Sequence, residues 1–306
     1  MKKILYSILL LFVLCLFSAC GGISFGSVYP NGDSYTVGNA EFSAEVDTLY
    51  IDWSAYSVSL VPADTETISI SEKANRTLSD EEAVHWLLDG KTLRVEYCAS
   101  GAVLPSDTKK ELTVTYPASV RWKTLEIGTA SADIVTGDLS AETVSLSTAS
   151  GSIRVPLLAA DTAEFSTASG NITAALDGVS VCRADSASGD ITLTGSADKI
   201  DASAASGSCS FSAEIHDPLE CSTASGDVSL SAAVLPRSTT VSTASGSVSL
   251  YFPENAGFTL SYSTASGDFS TELPAVLKED VCVCGDGAAK IDISTSSGDI
   301  SVSKLP

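Results

Sequence analysis

Two histidines, eight cysteines and a recurring aspartate are the residues of this chain with chemistry to offer. His216 precedes Asp217 in Glu-Ile-His-Asp-Pro, so an imidazole and a carboxylate could be drawn as an acid–base pair. A solvated turn accounts for the same five residues. His85 follows the capping-box pattern Ser79-Asp-Glu-Glu82, which predicts a short helix to Leu88, closed by Asp89-Gly90. Cys282 and Cys284 form a C-x-C pair, but no second pair is spaced to complete a zinc site. No P-loop, dinucleotide or G-x-S-x-G pattern occurs. No catalytic, cofactor or metal set is therefore assigned.

The elements that position these residues come from a repeat. Ser147-Thr-Ala-Ser-Gly151 has near-copies ending at Gly170, Gly189, Gly207, Gly226, Gly246, Gly267 and Gly298, and a degenerate copy at Thr129-Ala130-Ser131-Ala132. Steps from Ala132 are 19, 19, 19, 18, 19, 20 and 21 residues, then 31. A period of this kind means stacked units. With the glycine as zero, positions −7, −5, +2 and +4 are apolar, and +1 and +3 are polar. Period-two alternation on both sides makes each unit two short strands, and the inward parity switches at the glycine. That switch suggests a corner in which glycine supplies a positive φ. Connections are too short for helices, so the repeats predict an all-β fold: a single-stranded parallel β-solenoid with rungs of ~19 residues and ~4.8 Å spacing.

The register sorts the remaining side chains. Cys182, Cys209 and Cys221 fall at inward positions and read as core, while Cys98, Cys282 and Cys284 stay open. Cys182 and Cys221 lie two rungs apart, beyond disulfide reach. The +1 column runs Asp133, Ser152, Asn171, Asp190, Ser208, Asp227, Ser247, Asp268, Asp299. Alternating acids with Ser or Asn limits repulsion between like charges. The Gly-Gly-x-Gly-x-Asp pattern of calcium β-rolls is missing, so these acids read as turn residues bonding nearby backbone.

Residues 219–230, Leu-Glu-Cys-Ser-Thr-Ala-Ser-Gly-Asp-Val-Ser-Leu, carry a family resemblance, as do Gly285-Asp-Gly287 and Ile291-Asp-Ile-Ser-Thr-Ser-Ser-Gly-Asp-Ile-Ser-Val302. Over roughly residues 40–306 the chain resembles the bacterial family of β-strand-repeat domains known as putative adhesins, otherwise of unknown function. The resemblance implies the solenoid and a surface role. Its motif carries no chemistry.

In chain order, residues 1–19 read as an export signal: Lys2 and Lys3, then apolar Ile4 to Phe17 broken by Ser7, then small Ser18 and Ala19. Phe17-Ser18-Ala19-Cys20 resembles a lipobox, so Cys20 is the expected lipid-attachment site, although leucine is usual at the Phe17 position; ordinary secretion is the alternative. Residues 20–39 read as a flexible tether. Residues 40–120 read as irregular N-terminal rungs, with Tyr56 where a glycine belongs, and 121–306 as regular repeats with an insertion at 274–289 forming a hairpin or partial rung. The formal charge is −21, and losing Lys2 and Lys3 with the signal takes it to −23. Such a surface repels nucleic acid and anionic headgroups.

Three function classes follow: a lipid-tethered surface module binding a glycan or protein, an envelope structural or stress-signalling accessory, and a glycan-active β-helix enzyme. The third would need a convergent basic or carboxylate site, and the sequence shows none. The leading expectation is a non-catalytic cell-surface lipoprotein, membrane-bound through Cys20 on the extracytoplasmic face.

Overall fold

A computed structural model describes residues 28–43 and 45–306. It is an all-β chain, one 25-stranded sheet coiled into the expected parallel solenoid. The inward columns form as the alternation requires. Val95, Ile51, Ile127, Leu146, Phe165, Ala184, Ala202, Cys221 and Val241 stand in register as successive strand partners. Leu112, Val58, Ile134, Ile153, Ile172, Ile191, Cys209, Val228 and Val248 do the same across the corner. Nearly all of these are fully buried, so each rung removes its two apolar faces from water against its neighbours.

The corner works differently from the positive-φ expectation. The repeat glycines keep ordinary negative φ; what they lack is room. A β-carbon on Gly170 would lie 1.8 Å from the Gly151 carbonyl oxygen, and one on Gly189 1.7 Å from that of Gly170. Backbone meets backbone here, so no side chain can move aside. At the worn corner, Tyr56 does take the left-handed conformation, with φ 82°. A second device is the −3 hydroxyl, which points inward. Thr167 Oγ1 donates to the Gly151 carbonyl at 3.1 Å and accepts from its own rung's Gly170 N–H at 2.9 Å. Thr148, Ser186 and Thr223 make the same pair of bonds. These buried hydroxyls thus satisfy corner groups that no ladder reaches.

At both ends the stacking order departs from chain order. The strand Thr48–Trp53 lies between Thr92–Glu96 and Trp122–Thr129, so the second N-terminal rung in sequence is the outer one. At the other end, Ala289–Ser294 pairs with Ser238–Thr243 on one side and Phe258–Ser263 on the other. Ile300–Lys304 is likewise held between Val248–Phe252 and Phe269–Thr271. The last repeat in sequence is therefore wedged inside the penultimate one, where simple succession was expected.

Antiparallel strands close the ends, which answers the exposed-edge problem. Residues 274–289 form the hairpin Ala275–Lys278 and Val281–Cys284, and its second strand covers Phe258–Ser263. At the N-terminal end His85–Asp89 covers Thr92–Glu96, and Ile68–Ala74 covers Lys110–Pro117. The helix expected over 79–88 is corrected here. Half of the capping box forms, with the Ser79 N–H donating to Glu82 Oε2 at 3.0 Å, while the Glu82 and Ala83 N–H groups bond the Ser79 main-chain carbonyl. They shape a single turn, after which His85–Asp89 enters the sheet because the Thr92–Glu96 edge needs a partner. Of the tether expected over 20–39, the described part from Tyr29 on is docked onto the fold. Thr36–Val37 pairs with His85–Asp89, and Tyr29 Oη donates to the Cys98 carbonyl at 2.9 Å.

Val228 is buried in the +2 column and Ser229 points outward. Val228→Asp should cost several kcal/mol, about the cost of an unpaired carboxylate in the core. Ser229→Asp should leave the melting temperature nearly unchanged. Thermal unfolding of the two variants checks the register.

Candidate functional site

The outward +1 column is a bonding ladder. Asp133 Oδ1 accepts from Ser152 N–H at 2.8 Å, Asn171 Oδ1 from Asp190 N–H at 2.9 Å, and Asp190 Oδ1 from Ser208 N–H at 2.9 Å. Asp227 Oδ1 accepts from Ser247 N–H, and Asp299 Oδ1 from Asp268 N–H. Ser152 Oγ and Ser247 Oγ accept in the same way from the Asn171 and Asp299 N–H groups, so seven of the nine +1 side chains, all but Ser208 and Asp268, cap a backbone donor in a neighbouring rung. Asp268 and Asp299 are neighbours, and the N–H placed between them offsets part of their repulsion.

The −4 and +3 hydroxyls form outward walls, as Ser242 Oγ and Ser294 Oγ show at 2.8 Å. Near the C-terminal end a shallow depression of about 250 Å³ opens between three strands, lined among others by Thr240, Ser261, Tyr262, Asp292 and Ser294. Tyr262 occupies a −5 position and would be core in a middle rung. Here the stack is ending, so its ring is half-buried and stacks on Phe269 at 4.2 Å.

The other candidates are absorbed by structure. His216 is exposed, and its Nδ1 lies 2.9 Å from Asp198 Oδ1 one rung away; its acidic partner is therefore Asp198 and not the adjacent Asp217. His85 is buried, with Nδ1 3.0 Å from the Ala83 carbonyl. The six cysteines from Cys98 onward are free and buried. Cys282 and Cys284 share the inward face of their strand. Cys209 and Cys221, on opposite sides of a corner, meet across the thin core. The Cys209 thiol and burial push the Cys221 thiol well up. Cys20 lies outside the described residues.

One cluster was missed by sequence reasoning. Asp52 and Glu96 are strand partners in the N-terminal rungs, and both are withdrawn from water. Burial, then the neighbouring Asp52, push the Glu96 carboxyl up to about 8; burial raises Asp52. Glu96 Oε2 is buried without a hydrogen-bond partner. The first described segment covers them. The Tyr29 and Tyr35 rings meet at 4.7 Å, tilted by 53°, and burial followed by Glu96 raises both phenols. Tyr29 N–H donates to Ser100 Oγ at 3.1 Å, and Ser100 Oγ–H to the Tyr29 carbonyl at 3.1 Å. No sequence pattern marks this pair, because Asp52 and Glu96 meet only through the displaced order of the N-terminal rungs.

With the rung register, the glycine corner and the capped ends in view, comparison with known proteins decides the family. The model of the Toastrack DUF4097 family matches residues 46–303. The chain belongs to the Toastrack family. No curated protein matches it. Among solved structures, a putative adhesin from Parabacteroides distasonis ATCC 8503 is 14% identical, with a TM-score of 0.53 over 90% of this chain and 98% of that one. A putative adhesin from Parabacteroides merdae ATCC 43184 is 10% identical, with a TM-score of 0.53 over 89% and 97%. At these identities the likeness is one of fold, and it confirms the Toastrack solenoid.

Glu96 gives this Toastrack chain a pH dependence of known sign. Its carboxyl titrates higher in the folded state than near 4.5 in the unfolded one, so folding favours its protonated form. The contribution is fully present below about 4.5 and is lost as pH rises toward about 8. Glu96→Gln keeps the shape and removes the ionisation. Its melting temperature should match the parent's near pH 5 and exceed it increasingly toward pH 9. Circular dichroism melts across that range check the difference, which also cancels the background of the other acids.

Proposed function

We propose that this protein is a non-catalytic cell-surface lipoprotein, a binding module of adhesin type, held to the extracytoplasmic face of the bacterial membrane by a lipid on Cys20. The observation that carries the reading is where its reactive groups go. The recurring acids accept backbone N–H bonds, the thiols are core and the threonines at −3 serve the corners. What remains outward is a rigid wall of repeated hydroxyls with a shallow depression near its C-terminal end. Repeated hydroxyls along a rigid face suit a glycan or an extended protein segment. The adhesin descriptions carried by the two Parabacteroides proteins agree with this reading. Among the described residues no helix is long and apolar enough to cross a membrane.

Anchoring at Cys20 also sets an orientation. Tyr29 is docked at the N-terminal cap. Nine residues span at most about 30 Å, so that cap would face the membrane and the C-terminal hairpin would point outward. A second reading, an envelope structural or stress-signalling accessory, draws on the same rigidity.

Two experiments test the proposal. In a bacterial host, Cys20→Ala should abolish lipid labelling and leave unprocessed precursor; unchanged labelling and processing would refute the anchor. The purified protein, screened on glycan, peptidoglycan and matrix arrays beside a membrane pull-down, should bind a glycan or matrix component saturably. Capture of a membrane-protein partner instead would favour the accessory role. Polysaccharide turnover lost in His216→Ala would overturn the non-catalytic reading.

A further inference from the structure

Beneath the N-terminal cap lies a buried pair that the binding role does not use. Lys110 opens the strand Lys110–Pro117, and Glu72 lies on its antiparallel neighbour Ile68–Ala74. Ala74 is the strand partner of Lys110, so Glu72 is its diagonal neighbour on the same face. The lysine side chain is fully buried and the glutamate 8% exposed, with Nζ 2.6 Å from Oε1. Nζ also donates to the main-chain carbonyls of Glu82, at 2.6 Å, and Tyr97. Glu72 Oε2 accepts from the Val84 N–H at 3.0 Å. The rings of Tyr97 and Trp53 close over Nζ at 4.2 and 5.1 Å.

We propose that Lys110 and Glu72 are a self-modifying pair, whose amine and carboxyl condense to an amide that covalently joins the strands Ile68–Ala74 and Lys110–Pro117. In a dry site, passing one proton from the ammonium to Oε1 leaves two neutral groups, and burial already lowers the lysine's proton affinity. The amine then keeps two N–H groups, matching the two carbonyls of Glu82 and Tyr97, and its lone pair faces the carboxyl. The nitrogen attacks Cδ, and the C=O electron pair moves onto Oε2, where the Val84 N–H steadies the negative charge. Collapse re-forms the carbonyl and breaks the Cδ–Oε1 bond. The departing hydroxyl takes one of the nitrogen's two protons and leaves as water. The condensation is redox-neutral and needs no co-reactant. Holding the two groups in contact supplies an effective concentration of up to about 10⁵–10⁸ M. The aromatic walls restrict water from the reverse reaction.

The amide would tie the cap to the parallel stack. It is independent of any ligand and does not rest on the adhesin reading. The test is mass spectrometry of the full chain, intact and after trypsin. The expected result is a product lighter by one water that resists cleavage after Lys110 and yields a branched peptide joining Glu72 to Lys110. Lys110→Arg, which keeps a cation but removes the nucleophile, should yield no branched peptide. Should that variant fail to fold, the parent protein decides alone. A parent of unreduced mass that is cut normally after Lys110 overturns the proposal. So does a water loss found in a linear peptide, as a succinimide at Asp89-Gly90 would give.

Discussion

Everything in this solenoid depends on how closely two corners approach. The carbonyl oxygen of one repeat glycine occupies the place where the next repeat's β-carbon would be. With any other residue there the rungs would be forced apart locally, and the side chains stacked on either flank would lose contact. The neighbouring residues serve that approach. The −3 hydroxyl bridges one corner's carbonyl and the next corner's amide, and the +1 side chain holds an outer N–H. A five-residue motif is thus a backbone-joining device, repeated because each rung needs its own. Ala204 stands in the −3 position once, and its corner is held instead by the Ala205 and Ser206 N–H bonds to the Ser186 and Ala187 carbonyls and by the Asp190–Ser208 bond.

Much of this was legible in sequence because it is local. The −5 and +2 columns follow from alternation within a few residues, and the registers Leu146–Phe165 and Ile153–Ile172 follow from a fixed period. The second strand of the hairpin, Val281–Cys284, was marked by its alternation and by Gly285-Asp-Gly287 after it, whereas its partner Ala275–Lys278 was not. Three features were not legible, each for a physical reason. Ser79–Glu82 carries a true helix-start signal, but the strand that follows it is called into the sheet by an edge distant in sequence. The glycine requirement is visible as a residue type, yet close approach and positive φ leave the same letter. The Asp52–Glu96 pair and the inner placement of Ile300–Lys304 arise from stacking order, which a period does not encode.

The acidity of the chain takes on a different meaning once the side chains are placed. Exposed acids of the +1 column are separated by hydroxyl or amide residues for most of the stack and are engaged by backbone N–H groups. At the N-terminal cap, by contrast, the carboxyls of Asp52, Glu96 and Glu72 and the amine of Lys110 are withdrawn from water. The regular rungs therefore carry their charge where solvent screens it, and the cap concentrates it where solvent does not reach.

The wedged final repeat alters how such a rod comes apart. A plain stack frays from its chain ends, because the outermost rung is also the terminal one and has a partner on one side only. Here Ile300–Lys304 is gripped on both flanks, and Thr48–Trp53 is gripped likewise at the opposite pole. A peeling force or an exopeptidase that takes hold of the C-terminus meets a doubly anchored strand. At that pole unzipping would have to begin at the capping hairpin of Ala275–Lys278 and Val281–Cys284, upstream of the last strand. There the outer seam of the stack is set apart from the last strand, which is tucked one rung inward.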